Sequence, residues 1–118
     1  MKNTNNSNPE LDAPLEFVET EEALEQLAAQ LLQASRIAVD TESNSLHAYR
    51  EQVCLIQFSV PERDYLVDPL ALDDLSPLAP VFSSPDIEKI FHAADYDLIV
   101  LERDFGFTCG KLFDTMWA

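Results

Sequence analysis

The sequence predicts an α/β domain built on one mixed sheet, with its first three strands antiparallel, its later strands parallel and helices at its flanks. Three observations predict it. An amphipathic helix precedes the first strand, three strands then follow one another with no helix between them, and helix and strand alternate in the second half. At 118 residues there is room for one such domain and a single modest core.

Met1 to Pro14 is rich in Asn, Ser and Pro, with little apolar content beyond Leu11, and reads as a disordered lead to a domain spanning residues 15–118. Thr20 can cap a helix whose first turn carries Glu21 and Glu22, acids that suit the positive end of the helix dipole. Leu24, Leu27, Ala28 and Leu31 then fall at i, i+3, i+4 and i+7, the spacing of a face packed on a sheet. Arg36 to Asp40 reads as a short central strand, apolar on both faces. After a polar loop from Ser43 to Arg50, Gln52 to Val60 reads as a strand with Cys54, Ile56, Phe58 and Val60 on one side. Pro61 to Asp64 turns the chain into Tyr65-Leu66-Val67, so these three strands pair antiparallel.

Beyond Asp68-Pro69 the spacing predicts a short helix capped by Ser76 with Pro77 in its first position. Glu88 to His92 reads as a strand, and Asp95 to Phe105 as a helix closed by Gly106. Lys111 to Asp114 begins a last strand, and Thr115 to Ala118 looks like the start of a further helix. No Gly, Pro or polar stop follows Trp117, which suggests a domain that continues.

The net charge is −15, and the lead's Lys2, Glu10 and Asp12 account for one of those charges, so the acidity belongs to the domain. Such a surface repels a polyanion unless metal ions and local cations offset the field. The cations available are Arg36, Arg50, Arg63, Lys89, Arg103 and Lys111. Cys54 and Cys109 supply neither a disulfide framework nor a metal quartet. No stretch approaches the roughly 18 apolar residues of a membrane helix, and the N-terminus lacks a signal-peptide pattern, so the expected location is cytoplasmic.

The chemistry concentrates at three carboxylates. Asp40 and Glu42 stand where the apolar run Ile37-Ala38-Val39 ends. Residues two apart on a strand share a side, roughly 6 to 7 Å apart at the backbone, close enough for their side chains to converge on a cation. A solvated strand edge is the ordinary alternative for such a pair. Asp97 weighs against it, because on a helical wheel it falls between Val100 and Leu101, on the arc of Ala94, Leu98 and Phe105, with Asp95 and Glu102 opposite. A carboxylate facing a core is costly unless it is paired or binds metal, and Lys89 and Arg103 do not share that face. His92 and His47 are weaker candidates, each a ligand or a structural or loop residue.

In order along the chain, Ile37-Ala-Val-Asp40-Thr-Glu42, Val53-Cys-Leu-Ile-Gln57, Lys89-Ile-Phe-His92 with Asp97-Leu98, and Phe113-Asp114-Thr115 form a set of motifs. From about residue 36 to the end, the chain resembles the 3′-5′ exonuclease domain of the ribonuclease D family, in the DEDD superfamily and the ribonuclease H-like fold. The resemblance implies that Asp40, Glu42 and Asp97 hold two Mg²⁺ or Mn²⁺ ions, and that Asp114 is structural. It implies hydrolysis of terminal phosphodiesters of RNA or DNA, with release of nucleoside 5′-monophosphates. In that scheme Asp40 bridges the ions, Glu42 serves the ion beside the attacking water, and Asp97 serves the ion at the leaving oxygen. The partner is then a nucleic acid, most simply an RNA 3′ end. His47, Tyr49, Arg50 and His92 are candidates for substrate contact, or else loop surface.

The family's third motif, a Tyr four residues before an Asp on a later helix, is not found. Tyr49 and Tyr96 are followed at that spacing by Val53 and Val100, and nothing after Asp114 holds it. The expectation is therefore a domain truncated at its C-terminus, about the first two thirds of the family's. It acts either as an exonuclease or as an inert fragment with a binding or regulatory role. A receiver domain has similar length and strand-end aspartates, but it needs a helix directly after the first strand, where this chain has the strand Gln52 to Val60.

Overall fold

The computed structural model describes residues 14–44, 52–92 and 94–114. Strand β1, Leu15–Val18, leads into helix α1, Glu21–Leu31. Thr20 caps that helix as expected, its Oγ1 accepting the Ala23 N–H at 3.1 Å, and Leu24, Leu27, Ala28 and Leu31 are buried. The chain continues through β2 (Arg36–Asn44), β3 (Gln52–Val60) and β4 (Arg63–Val67). A 3-10 turn at Ser76–Leu78 runs into α2 (Ala79–Ser83), followed by β5 (Glu88–Phe91), α3 (Ala94–Phe105) and β6 (Leu112–Asp114). Gly106 ends α3 at φ 76°, a conformation that suits a residue without Cβ.

Among the described residues six strands form one sheet, in the order β1-β4-β3-β2-β5-β6. β2, β3 and β4 pair antiparallel, and β5 joins β2, and β6 joins β5, in parallel. This is the mixed sheet expected from the sequence, with one addition. β1 pairs parallel with β4 at the edge, and its four residues, Leu-Glu-Phe-Val, are too few to show a period against the polar lead beside them. Pro14 already belongs to the fold, since its carbonyl accepts the Asp64 N–H at 2.9 Å. Residues 1–13 of the expected lead, the loop holding His47, Tyr49 and Arg50, and the expected terminal helix lie outside the described residues.

The helices and one face of the sheet share a single core. Val18, Ile37, Val39, Ile56, Phe58, Tyr65, Val67 and Phe91 supply the strand side of it. Phe82 joins the layers, with ring centroids 5.8 Å from Phe58 and 4.9 Å from Phe107. Asp104 pins the end of α3 to the start of β3 by accepting the Val53 N–H at 2.9 Å.

Four expectations change. β2 is central in the sheet but packed on one face alone: Ile37 and Val39 are buried while Ala38 is exposed, and the strand runs on to Asn44. A bulge between Glu42 and Ser43 sets Glu42 opposite Leu55 and Ser43 opposite Val53. The extra residue, Cys54, therefore leaves the Ile56-Phe58-Val60 row, and Val53 takes its place in the core. Ser76 begins a 3-10 turn instead of capping a helix; Leu75 holds the cap position without a side-chain bond. Lys89 is no surface cation: strand alternation points it into the core, where it is fully buried and its Nζ donates to the Ser84 carbonyl at 2.6 Å. Burial pushes its pKa below the ordinary lysine value, with the neighbouring Cys109 opposing that shift.

Candidate functional site

β2 sorts its last residues by alternation. Its register with β3, β4, β5 and β6 places Leu15, Asp64, Ser59, Ala38, Ile90 and Phe113 in one row on the face opposite the helices. Asp40 and Glu42 stand on that same open face, and both are exposed. Thr41, between them, points to the helix side. There its hydroxyl donates to Asp97 Oδ1 at 2.5 Å.

Asp97 sits where the helical wheel placed it. It is 5% exposed, with Val100 and Leu101 buried beside it, and Glu102 is in solvent. Its carboxylate therefore reaches β2 at the residue between Asp40 and Glu42. The three carboxylates flank the middle of β2 from two sides, the pair on the open face and Asp97 on the packed one. Among the described residues no three His, Cys, Asp or Glu side chains lie close enough together to hold a metal ion. The donors nevertheless fit a hard cation in kind, being all carboxylate oxygens with no thiolate or imidazole among them. Asp40 Oδ1 also accepts the Thr41 N–H at 3.0 Å, which fixes its carboxylate against its own backbone. His92 lies one residue past β5 and is exposed.

A cleft of about 110 Å³ lies beside Asp40, lined by Ala38, Val39, Asp40, Gln57 and Ser59. Gln57 is the direct cross-strand partner of Asp40. A larger cleft of about 410 Å³ lies toward the β3–β4 turn, lined by Gln26, Gln30, Glu62, Arg63 and their neighbours. It holds none of the three carboxylates, and size there does not mark the chemistry.

Thr41 and Gln57 are the residues that sequence reasoning passed over. The signal for Thr41 was present in two readings left unjoined: alternation turns it away from Asp40 and Glu42, and the helical wheel turns Asp97 toward the sheet. Gln57 was visible only as part of a motif, because its place beside Asp40 depends on the β2–β3 register.

A family model described as 3′-5′ exonuclease matches residues 15–118. The chain belongs to the 3′-5′ exonuclease family. Within that family it is 48% identical over 103 residues to protein RRP6-like 3 of Arabidopsis thaliana, covering 86% of this chain and 12% of that protein. It is 45% identical to the exosome complex exonuclease RRP6 of Saccharomyces cerevisiae, over 86% of this chain and 14% of that one. Among solved structures, the catalytic core of RRP6 from Trypanosoma brucei superposes with a TM-score of 0.86 at 42% identity, over 89% of this chain and 30% of that chain. Escherichia coli RNase D superposes at 0.77 with 36% identity, over 84% of this chain and 26% of that one. This exonuclease domain is thus of the RRP6 and ribonuclease D type, in the ribonuclease H-like fold, as the motif runs implied. The chain spans a small part of the length of the relatives it matches.

Proposed function

We propose that this exonuclease domain hydrolyses RNA from its 3′ end, using two Mg²⁺ or Mn²⁺ ions held by Asp40, Glu42 and Asp97. The observation that carries the reading is the Thr41–Asp97 hydrogen bond, which delivers a buried carboxylate to the residue between two exposed ones. RNA is the favoured substrate because the E. coli neighbour is described as an exoribonuclease involved in structured RNA processing.

Asp40 and Glu42 accept but cannot donate hydrogen bonds, so alone they repel a phosphate. When bound, the ions supply charge neutralisation, an activated water and support for the leaving oxygen. The chain's own part is to bring three carboxylates to residues 40–42 of β2, two on one face and one on the other, and to leave the approach open on the side of Asp40. Gln57 and Ser59, in the cleft beside Asp40, offer an amide and a hydroxyl to sugar or phosphate oxygens. His92 stands exposed past β5 as a further contact for the substrate.

Adding Mn²⁺ to the chain tests this, with the melting temperature and mononucleotide release from 3′-labelled RNA read together, and DNA of the same sequence alongside. The expected result is a rise in melting temperature and release of 5′-mononucleotides from RNA. Stabilisation without turnover would assign the chain to the inert, metal-binding alternative. Neither response would remove the metal reading.

A further inference from the structure

We propose that the cleft between α1 and the β3–β4 turn is a docking site for a guanidinium group, the arginine side chain of an extended basic segment of a partner protein. The cleft has a volume of about 410 Å³, within the roughly 300–1,000 Å³ of pockets that hold ligands. Asp40, Glu42 and Asp97 do not line it, and the inference does not depend on the metal reading above. Its lining is layered by burial. Leu27 from α1 and Tyr65 from β4 are nearly buried and form an apolar floor, while Gln26, Gln30 and Glu62 stand exposed at the rim.

Charge inside the cleft does not cancel. Arg63 donates to Glu16 Oε1 at 3.1 Å, so this cation and one of the two lining carboxylates already satisfy each other. The Glu62 carboxylate has no hydrogen bond or ion pair among the described residues. Gln26 and Gln30, one turn apart on α1, present their amides to the same side, and amide carbonyls accept hydrogen bonds. A carboxylate and two amide carbonyls together call for a donor-rich cation. A guanidinium is that group: its planar fork meets a carboxylate with two bonds and keeps further N–H groups for neighbouring acceptors. The floor suits the rest of the side chain, since arginine buries its methylene stem while its head stays among polar groups. The same lining disfavours an anion, because the one cation is engaged and Glu62 repels it. At longer range the net charge of −15 steers a basic partner toward the chain, and the exposed rim leaves the remainder of a segment outside the cleft.

The test titrates the full chain into short fluorescent peptides of Lys, Ser and Ala that are identical but for a central arginine or citrulline, citrulline keeping the shape of arginine without its charge. Fluorescence anisotropy is read at about 0.15 M salt, where attraction between distant exposed charges is largely screened. The arginine peptide is expected to bind with a Kd below about 1 mM, and the citrulline peptide about tenfold more weakly or worse. Glu62→Gln should also weaken the arginine peptide about tenfold, with its melting temperature showing that it folds. Asp86→Asn removes the same charge from an exposed position outside the cleft and should leave affinity within about twofold of the parent. No binding of the arginine peptide, or equal binding of the citrulline peptide, overturns the proposal. Equal losses in Glu62→Gln and Asp86→Asn overturn it as well, by assigning the binding to general attraction toward an acidic surface. Free arginine amide that displaces the peptide at equal concentration overturns the partner segment and assigns the cleft to a small guanidinium compound. Mn²⁺ enters none of these measurements, so their failure leaves the metal reading where it stood.

Discussion

The two faces of the sheet are made from the same strands and have opposite characters. On the helix side Ile37, Val39, Ile56, Phe58 and Val67 are buried. On the other side Ala38, Asp40 and Glu42 are exposed, as are Leu15 and Phe17 in β1, the latter by 62%. Burial of ionisable groups follows the same division. Among the described residues Lys89 and Asp97 are the buried charged side chains, and both lie on the packed side, each with a hydrogen-bond partner. The difference teaches that the packed face holds the fold together while the open one presents chemistry, and that β2 serves both because its side chains alternate.

A packed face that tolerated truncation would erase this contrast. Phe82→Ala should cost about 3–5 kcal/mol in urea denaturation, the usual range for a buried aromatic cut back to Ala; a loss under about 1 kcal/mol would mean that the core does not depend on the ring linking Phe58 to Phe107. Gly110→Ala should cost about 1–3 kcal/mol through overpacking, since a Cβ there would lie 2.2 Å from the Ser83 carbonyl oxygen. Thr20→Ala should remove about 1 kcal/mol through loss of the α1 cap, readable in the same denaturation series.

Lys89 sharpens the contrast through pH. Its folded pKa lies below the ordinary lysine value because the charged form is desolvated. The unfolded chain therefore binds this proton more tightly, and stability from this group rises as pH climbs through the window between the lowered value and about 10.4. Below that window the buried charge costs most. Lys89→Met should flatten the rise in melting temperature on the alkaline side relative to the parent; an unchanged slope would show that Lys89 does not carry it. The smallest expected change in stability is on the open face. Asp40→Asn should alter metal-free stability by no more than about 0.5 kcal/mol while removing the Mn²⁺-dependent rise in melting temperature. A large loss of metal-free stability would place Asp40 among the folding residues instead.

Much of this was readable beforehand where the signal is local. The cap at Thr20, the buried stripe of α1 and the glycine at the end of α3 each depend on a few neighbouring residues, and each appears as expected. The inward face of α3 was legible too, because a helix of 12 residues is long enough to show its period. β1 was not, since four residues carry no period and its edge place depends on β4. Cys54 was assigned to the wrong row because a bulge is a property of two paired strands. Lys89 was counted as a surface cation because its type outweighed its place in the strand alternation, two residues before the buried Phe91.

By itself the sequence determined most of the helix and strand segments, β1 excepted, that Asp40 and Glu42 share one side of β2, and that α3 turns Asp97 inward. These follow from side-chain periodicity, which is a short-range property of the backbone. Tertiary structure alone decided that Thr41 is the group meeting Asp97, that Lys89 is buried with the Ser84 carbonyl as its partner, and that Gln57 lies across from Asp40. Those facts depend on strand register and on which face the helices cover, and both are set when distant segments pack to remove apolar surface from water.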